Sequence, residues 1–154
     1  MPTVEQVLLR IVALVVDDNP DHQNLLALQL LSLGAKEVLT AANGLEAIAL
    51  LKGRTQTLDL IVAEVRMPNG NGLQLLQAVR CGLTKNMRVN STFVLVTAKP
   101  EVGIIQTASA LDANGFIAKP IKGAKLEPAI LKARRTVFPP NFARYNEVYV
   151  PDNI

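Results

Sequence analysis

Cysteine and histidine each occur once in the 154 residues, as Cys81 and His22, and tryptophan does not occur. A single thiol cannot close an internal disulfide, which makes a reducing compartment the default. One cysteine and one histidine cannot furnish a Cys/His zinc site within one chain, and no further reactive pair supports a cysteine-protease reading. Charge is sparse as well: 19% of residues are charged against 49% hydrophobic, and mean hydropathy is +0.25. That composition builds a core and excludes a disordered chain. Yet no apolar run approaches the roughly 20 residues of a membrane helix. The run at 11–16 stops at Asp17-Asp18, which also argues against a secretory leader.

The net charge of +3 is 16 basic minus 13 acidic groups, only a weak pull toward nucleic acid. Its distribution is uneven. Residues 1–77 carry five basic and eight acidic groups, and residues 78–154 carry eleven and five, so the acids fall early and the cations late.

What is present is an alternation. Residues 11–16 form a continuous β-branched and apolar run, the pattern of a strand buried on both faces. Asn19-Pro20 then opens a helix, Asn as N-cap and Pro at the first helical position, which runs to Leu33 and stops at Gly34. The spacing predicts further strands at 36–41, 58–63, 92–96 and 116–118. Helices are predicted from Asn43-Gly44 to Gly53 and at 73–80, 101–111 and 125–135. Five strands alternating with five helices give a (βα)5 chain, an α/β fold with an open, doubly wound parallel sheet. The 18 residues from 137 to 154 depart in composition, holding four of the six aromatics and three of the nine prolines.

Function in such a sheet sits at the carboxyl ends of the strands. Asp17 and Asp18 follow the first strand, Glu64 the third, Thr97 the fourth and Lys119-Pro120 the fifth. Three carboxylates, a hydroxyl and an ammonium are therefore expected on one edge. Neighbouring strands lie about 4.8 Å apart, and two carboxylates about 4 Å apart repel by roughly 4 kcal/mol at an effective dielectric near 20. The cluster thus needs a divalent cation, Lys119 or a shared proton, and oxygen ligands suit Mg²⁺. A flavin or nucleotide site on this fold lacks support, because the first loop, Asp17-Asp18-Asn19-Pro20, has no glycine-rich phosphate cradle.

Five ordered pieces carry a resemblance: Val16-Asp17-Asp18-Asn19-Pro20; Ala42-Asn43-Gly44-Leu45-Glu46-Ala47; Asp59-Leu60-Ile61 leading to Met67-Pro68 and Gly72; Val96-Thr97-Ala98; and Ala113-Asn114-Gly115-Phe116-Ile117-Ala118-Lys119-Pro120. From about residue 11 to 135 the chain resembles the CheY-like receiver domains of response regulators. The resemblance implies the flavodoxin-like strand order 2-1-3-4-5. It implies two-component phosphorelay signalling in the cytoplasm, regulatory rather than enzymatic, with a histidine kinase or other signalling protein as partner. Neither nucleic acid nor membrane is expected as a partner, and a homodimer is open. It also assigns roles. Asp17, Asp18, the Glu64 position and the Arg66 backbone carbonyl match the Mg²⁺ ligands. Thr97 and Lys119 match the groups that contact the phosphoryl oxygens, and Phe116 matches the aromatic switch.

Glu64 departs from the family's acceptor, which is an aspartate. Its extra methylene moves the carboxylate by about 1.5 Å, and phosphoryl transfer depends on positioning. The reading is therefore an atypical receiver, expected not to be phosphorylated at Glu64. It would signal through phosphorylation-independent protein–protein contact, with Mg²⁺ bound weakly if at all. The alternative is a working Mg²⁺-dependent acceptor served by a histidine kinase. His22 is read as a solvated surface residue.

Residues 1–136 are assigned to the receiver, with no attached output domain expected, and 137–154 to a docking extension. Phe138, Phe142, Tyr145 and Tyr149 would line one helical stripe. The leucine-rich first helix would leave a wet apolar stripe. The extension is therefore expected to cross that helix, in the same chain or in a dimer partner.

Overall fold

The structure, a computed structural model, describes residues 11–54, 58–84 and 88–154. The first ten residues of the expected receiver lie outside that range. Five strands, β1 (Val12–Val16), β2 (Glu37–Ala41), β3 (Leu60–Glu64), β4 (Thr92–Thr97) and β5 (Gly115–Ala118), form one sheet in the order β2-β1-β3-β4-β5. Every pairing is parallel. The central strands explain themselves: Ala13 to Val16 and Leu60 to Ala63 are buried on both faces, as continuous β-branched and apolar runs require.

Helices α1 (Pro20–Ser32), α2 (Gly44–Gly53), α3 (Gly72–Arg80), α4 (Val102–Ala110) and α5 (Gly123–Arg135) cover the sheet, and a short α6 (Phe142–Glu147) follows. One core layer joins strand residues Ala13, Val15, Leu60, Val62, Val94 and Val96 to Leu26 and Leu30 of α1 and Leu126 and Ile130 of α5. The other joins Leu14, Ile61, Phe93 and Leu95 to α2, α3 and α4. Among the described residues no helix is long and apolar enough to cross a membrane.

Polar side chains set the helix starts. Asn19 Oδ1 accepts from the Asp21 and His22 N–H groups at 2.9 and 3.2 Å, satisfying donors that a helix leaves open. Asn43 accepts from Glu46 N–H at 2.8 Å. Asn71 and Gln74 form a capping box on α3. Gly70, at φ +103°, packs backbone to backbone on Gly44, whose N–H donates to its carbonyl at 2.8 Å. A Cβ on Gly44 would lie 2.7 Å from that oxygen. The β3–α3 loop is thereby pinned to the start of α2.

The extension does not cross α1. It packs on the opposite face of the sheet, along α3. Tyr145 is fully buried in the α2–α4 core layer, with Val148 and Val150 against it. The expected aromatic stripe is not a stripe: α6 ends at Glu147, and Phe142 and Tyr149 are 49% and 82% exposed. The outer leucines of α1 stay wet, Leu25, Leu28 and Leu31 being 56%, 63% and 46% exposed.

Candidate functional site

Parallel register brings the strand ends to one edge. Asp17 leaves β1 next to Ala41, donating its N–H to the Ala41 carbonyl at 3.1 Å. Gln23 of α1 ties the same corner by donating to the Asp17 and Ala41 carbonyls at 3.1 and 3.0 Å. Glu64 ends β3 opposite Val96, and Thr97 ends β4 opposite Ala118. Lys119 follows β5 through a backbone bond to the Thr97 carbonyl at 2.8 Å, with a cis peptide bond to Pro120.

Lys119 organises the cluster. Its Nζ donates to Asp17 Oδ2 at 2.9 Å and lies 3.1 Å from Glu64 Oε2. All three side chains are largely buried, at 16%, 5% and 10% exposure. The Glu64 contact is an ion pair at a buried oxygen, Oε2. Burial pushes the Glu64 carboxyl above its ordinary value, opposed by the Lys119 charge and helped by Asp17 and Asp18. Burial alone would lower Lys119. The Asp17 hydrogen bond and the charges of Glu64 and Asp17 outweigh it, and the ammonium ends above its ordinary value. The pair therefore pulls unevenly: Lys119 gains from two carboxylates, whereas Glu64 has one cation to set against its desolvation.

Two contacts were not legible in advance. His22, expected to be merely solvated, places Nδ1 3.0 Å from Lys119 Nζ. An ammonium only donates, so Nδ1 faces it as the acceptor. The signal was the Asn19 cap, which fixes the phase of the first turn of α1. Arg66, expected to contribute only its carbonyl, also uses its side chain. Its Nη1 donates to Thr97 Oγ1 at 2.9 Å and to the Lys99 carbonyl at 2.8 Å, and its Nη2 pairs with Glu101 at 3.2 Å. Thr97 Oγ1 also accepts from the Lys99 N–H at 3.2 Å. Thr97 is thus engaged by Arg66 and its own loop rather than by Lys119.

Asp18 is exposed at the rim, and Phe116 is half-buried against the α2–α4 core layer. A cavity of about 380 Å³ opens beside the cluster, lined by Asp17, His22, Leu25, Lys119, Pro120 and Ile121 among others. The donor set is oxygen-rich, as a hard cation requires, and the Lys119 ammonium competes for two of its carboxylates. Among the described residues no three Asp, Glu, His or Cys side chains are grouped to hold a metal. Both Asp17 oxygens are already engaged, Oδ1 by the Asn19 N–H at 2.9 Å and Oδ2 by Lys119. The ammonium supplies the positive charge that the carboxylates need.

Residues 13–131 match the response regulator receiver domain. The chain belongs to the response regulator receiver family. This receiver is 31% identical over 121 residues to a probable chemotaxis protein CheY of Rhizobium etli, covering 79% of this chain and 90% of that one. It is similar to the solved Vibrio cholerae chemotaxis protein CheY4, with a TM-score of 0.70 and 26% identity over 80% of this chain and 98% of the other. It is also similar to the receiver domain of a Pseudomonas aeruginosa sensor histidine kinase, with a TM-score of 0.68 and 25% identity over 81% and 98% of the two chains. That structure holds a magnesium ion in its active-site cleft. The expected fold and strand order hold, and the chain is a CheY-like receiver of two-component signalling.

Proposed function

We propose that this receiver signals through protein–protein contact without passing through an aspartyl phosphate, its pocket being closed by an internal ion cluster. The observation that carries this reading is Lys119, 2.9 Å from Asp17 and 3.1 Å from Glu64. The group that would otherwise contact an incoming phosphoryl is already neutralised by carboxylates of the chain. Glu64 bears one charge and two oxygens where a phosphoryl group bears about two charges and three acceptor oxygens. It is a partial substitute for the modified state and a poor acceptor, since its carboxylate lies about one C–C bond beyond that of an aspartate.

Mg²⁺ would be held by Asp17 and Asp18, with Glu64 and the Arg66 carbonyl beside them, and would supply charge neutralisation there. In this chain it competes with the Lys119 ammonium, so its binding is weak. Thr97 and Lys119 keep the positions of phosphoryl-contacting groups, and Phe116 that of a packed aromatic at the switch position. The partner class is a histidine kinase or another signalling protein in the cytoplasm.

The test is the response of backbone amide resonances to trifluoroberyllate with Mg²⁺. The wild-type chain shows no saturable shift at Thr97, Ala98 or Lys119, whereas Glu64→Asp shifts all three. Saturable shifts in the wild type would favour the working-acceptor reading.

A further inference from the structure

The family match ends at residue 131, and the extension beyond it is held by a specific set of contacts on α3. Gln77 donates through Nε2 to two carbonyls, Tyr145 at 2.9 Å and Val148 at 2.8 Å. Asn71 donates through Nδ2 to the Pro151 carbonyl at 2.9 Å. Gln74 donates through Nε2 to Asp152 Oδ1 at 2.7 Å. Asn71, Gln74 and Gln77 stand three residues apart, on one face of α3. The carbonyls they take also recur every third residue, at 145, 148 and 151.

The amides of Asn71 and Gln74 are fully used. Their oxygens cap α3, from Gln74 N–H to Asn71 Oδ1 and from Asn71 N–H to Gln74 Oε1, each at 2.9 Å. Their nitrogens take the extension. One side chain anchors the whole. Tyr145 is 0% exposed and donates its hydroxyl to Asp112 Oδ2 at 2.7 Å, while Arg144 forms an ion pair with the same carboxylate.

We infer that this face of α3 is a peptide-binding site, which takes an Arg-Tyr anchor followed by an extended segment, and that its ligand in trans is the extension of a second copy of this chain. Three features support this. Recognition beyond the anchor runs mainly through backbone carbonyls, so the site reads an extended segment in any chain that presents the anchor. Every recognising group of the ligand lies between Arg144 and Asp152, beyond the Pro139-Pro140 link, so the ligand is a separable unit. The link itself adds little, its one described side-chain tie being Asn90 Nδ2 to the Phe138 carbonyl at 3.5 Å. In cis the short link gives the extension a high effective concentration, and a second copy competes only when the resident segment is released. The inference does not depend on the state of Glu64.

The experiment releases the resident anchor in the full chain and offers the segment in trans. A dye-labelled peptide of residues 141–154 is titrated against the Tyr145→Ala chain and, in parallel, against Tyr145→Phe, which loses only the hydroxyl bond to Asp112. Fluorescence anisotropy shows saturable binding to the Tyr145→Ala chain, and the peptide raises that chain's melting temperature. Replacing the peptide tyrosine by alanine weakens binding by at least ~10-fold. Adding Gln77→Leu to the variant chain weakens it by a similar factor. If the Tyr145→Ala chain keeps its native far-UV spectrum and binds no peptide, the inference is wrong, and if that chain is unfolded, failure of the peptide to restore its native spectrum overturns the inference as well. It is equally wrong if binding ignores both the peptide tyrosine and Gln77.

Discussion

Glu64 carries a charge that burial disfavours and Lys119 favours. Its folded-state pKa lies above the ordinary value of 4.5. Folding therefore binds protons in that window. The associated stability is fully present below about pH 4.5 and is lost as pH rises through the folded value. A carboxyl-carbon NMR titration should place the Glu64 midpoint above 4.5. In Lys119→Met, which removes the opposing cation, the midpoint should rise further. A wild-type midpoint at or below 4.5 contradicts the desolvated setting. The same ammonium governs the cation: calorimetry should find weak Mg²⁺ binding in the wild type and tighter binding in Lys119→Ala. Abolition of binding in a folded Lys119→Ala chain would show that Lys119 supports the metal rather than competing with it. Asp17, Glu64, Thr97 and Lys119 were legible in the sequence because each stands at a strand end, where topology alone brings residues together. His22 and the Arg66 side chain were not. Their roles depend on the rotation of a helix turn and on the path of a loop, neither of which hydrophobic periodicity records.

Among the elements, α3 is the most constrained. It starts directly against the end of β3, with the Gly72 N–H donating to the Val65 carbonyl at 2.9 Å. A Cβ at Gly72 would stand 2.3 Å from the Glu64 carbonyl oxygen and 3.0 Å from Leu95 Cδ2. Backbone cannot yield as a flexible side chain does, so Gly72→Ala should destabilise by about 3 kcal/mol, read as a shift in the urea midpoint. An unchanged midpoint would mean that the loop has more freedom than this packing allows. The far end of α3 is equally committed. Arg80, 1% exposed, donates to the carbonyls of Val89, Ser91, Leu111 and Asp112 and to Asn114 Oδ1. Burial lowers it to about 10, with Tyr145 and Asp112 opposing the shift, so it stays charged at neutral pH. Helix α3 was legible as a helix at 73–80, but nothing in the sequence marks its terminal arginine for burial. Only the carbonyl cage around it, assembled from the β4 and β5 approaches, explains a buried guanidinium.

At the scale of the whole molecule, the parallel α/β class followed from the repeat of strand and helix and the sheet order from the resemblance carried by the strand-end motifs, whereas the docking of the extension followed from neither. Its aromatics announce a need for burial without naming a face. Asp112, held at φ +54° beside the carbonyls that cage Arg80, is the receptor for Tyr145, and nothing in its local sequence distinguishes it from a turn residue. Truncation after Thr136 should uncover the α3 face, raise hydrophobic-dye binding and lower the melting temperature. Tyr145→Ala alone should cost about 3–5 kcal/mol. A truncated chain as stable as the full one, with no added dye binding, would show that the extension is no structural cover. The central claim remains that the ion cluster of Asp17, Glu64 and Lys119 closes the pocket to phosphoryl chemistry. Intact-mass spectrometry after incubation with acetyl phosphate and Mg²⁺ tests it most directly. The account predicts an unmodified wild-type chain and a Glu64→Asp chain that gains the mass of one phosphoryl group. A stoichiometric phosphoryl adduct on the wild type, mapped to Glu64, would contradict it.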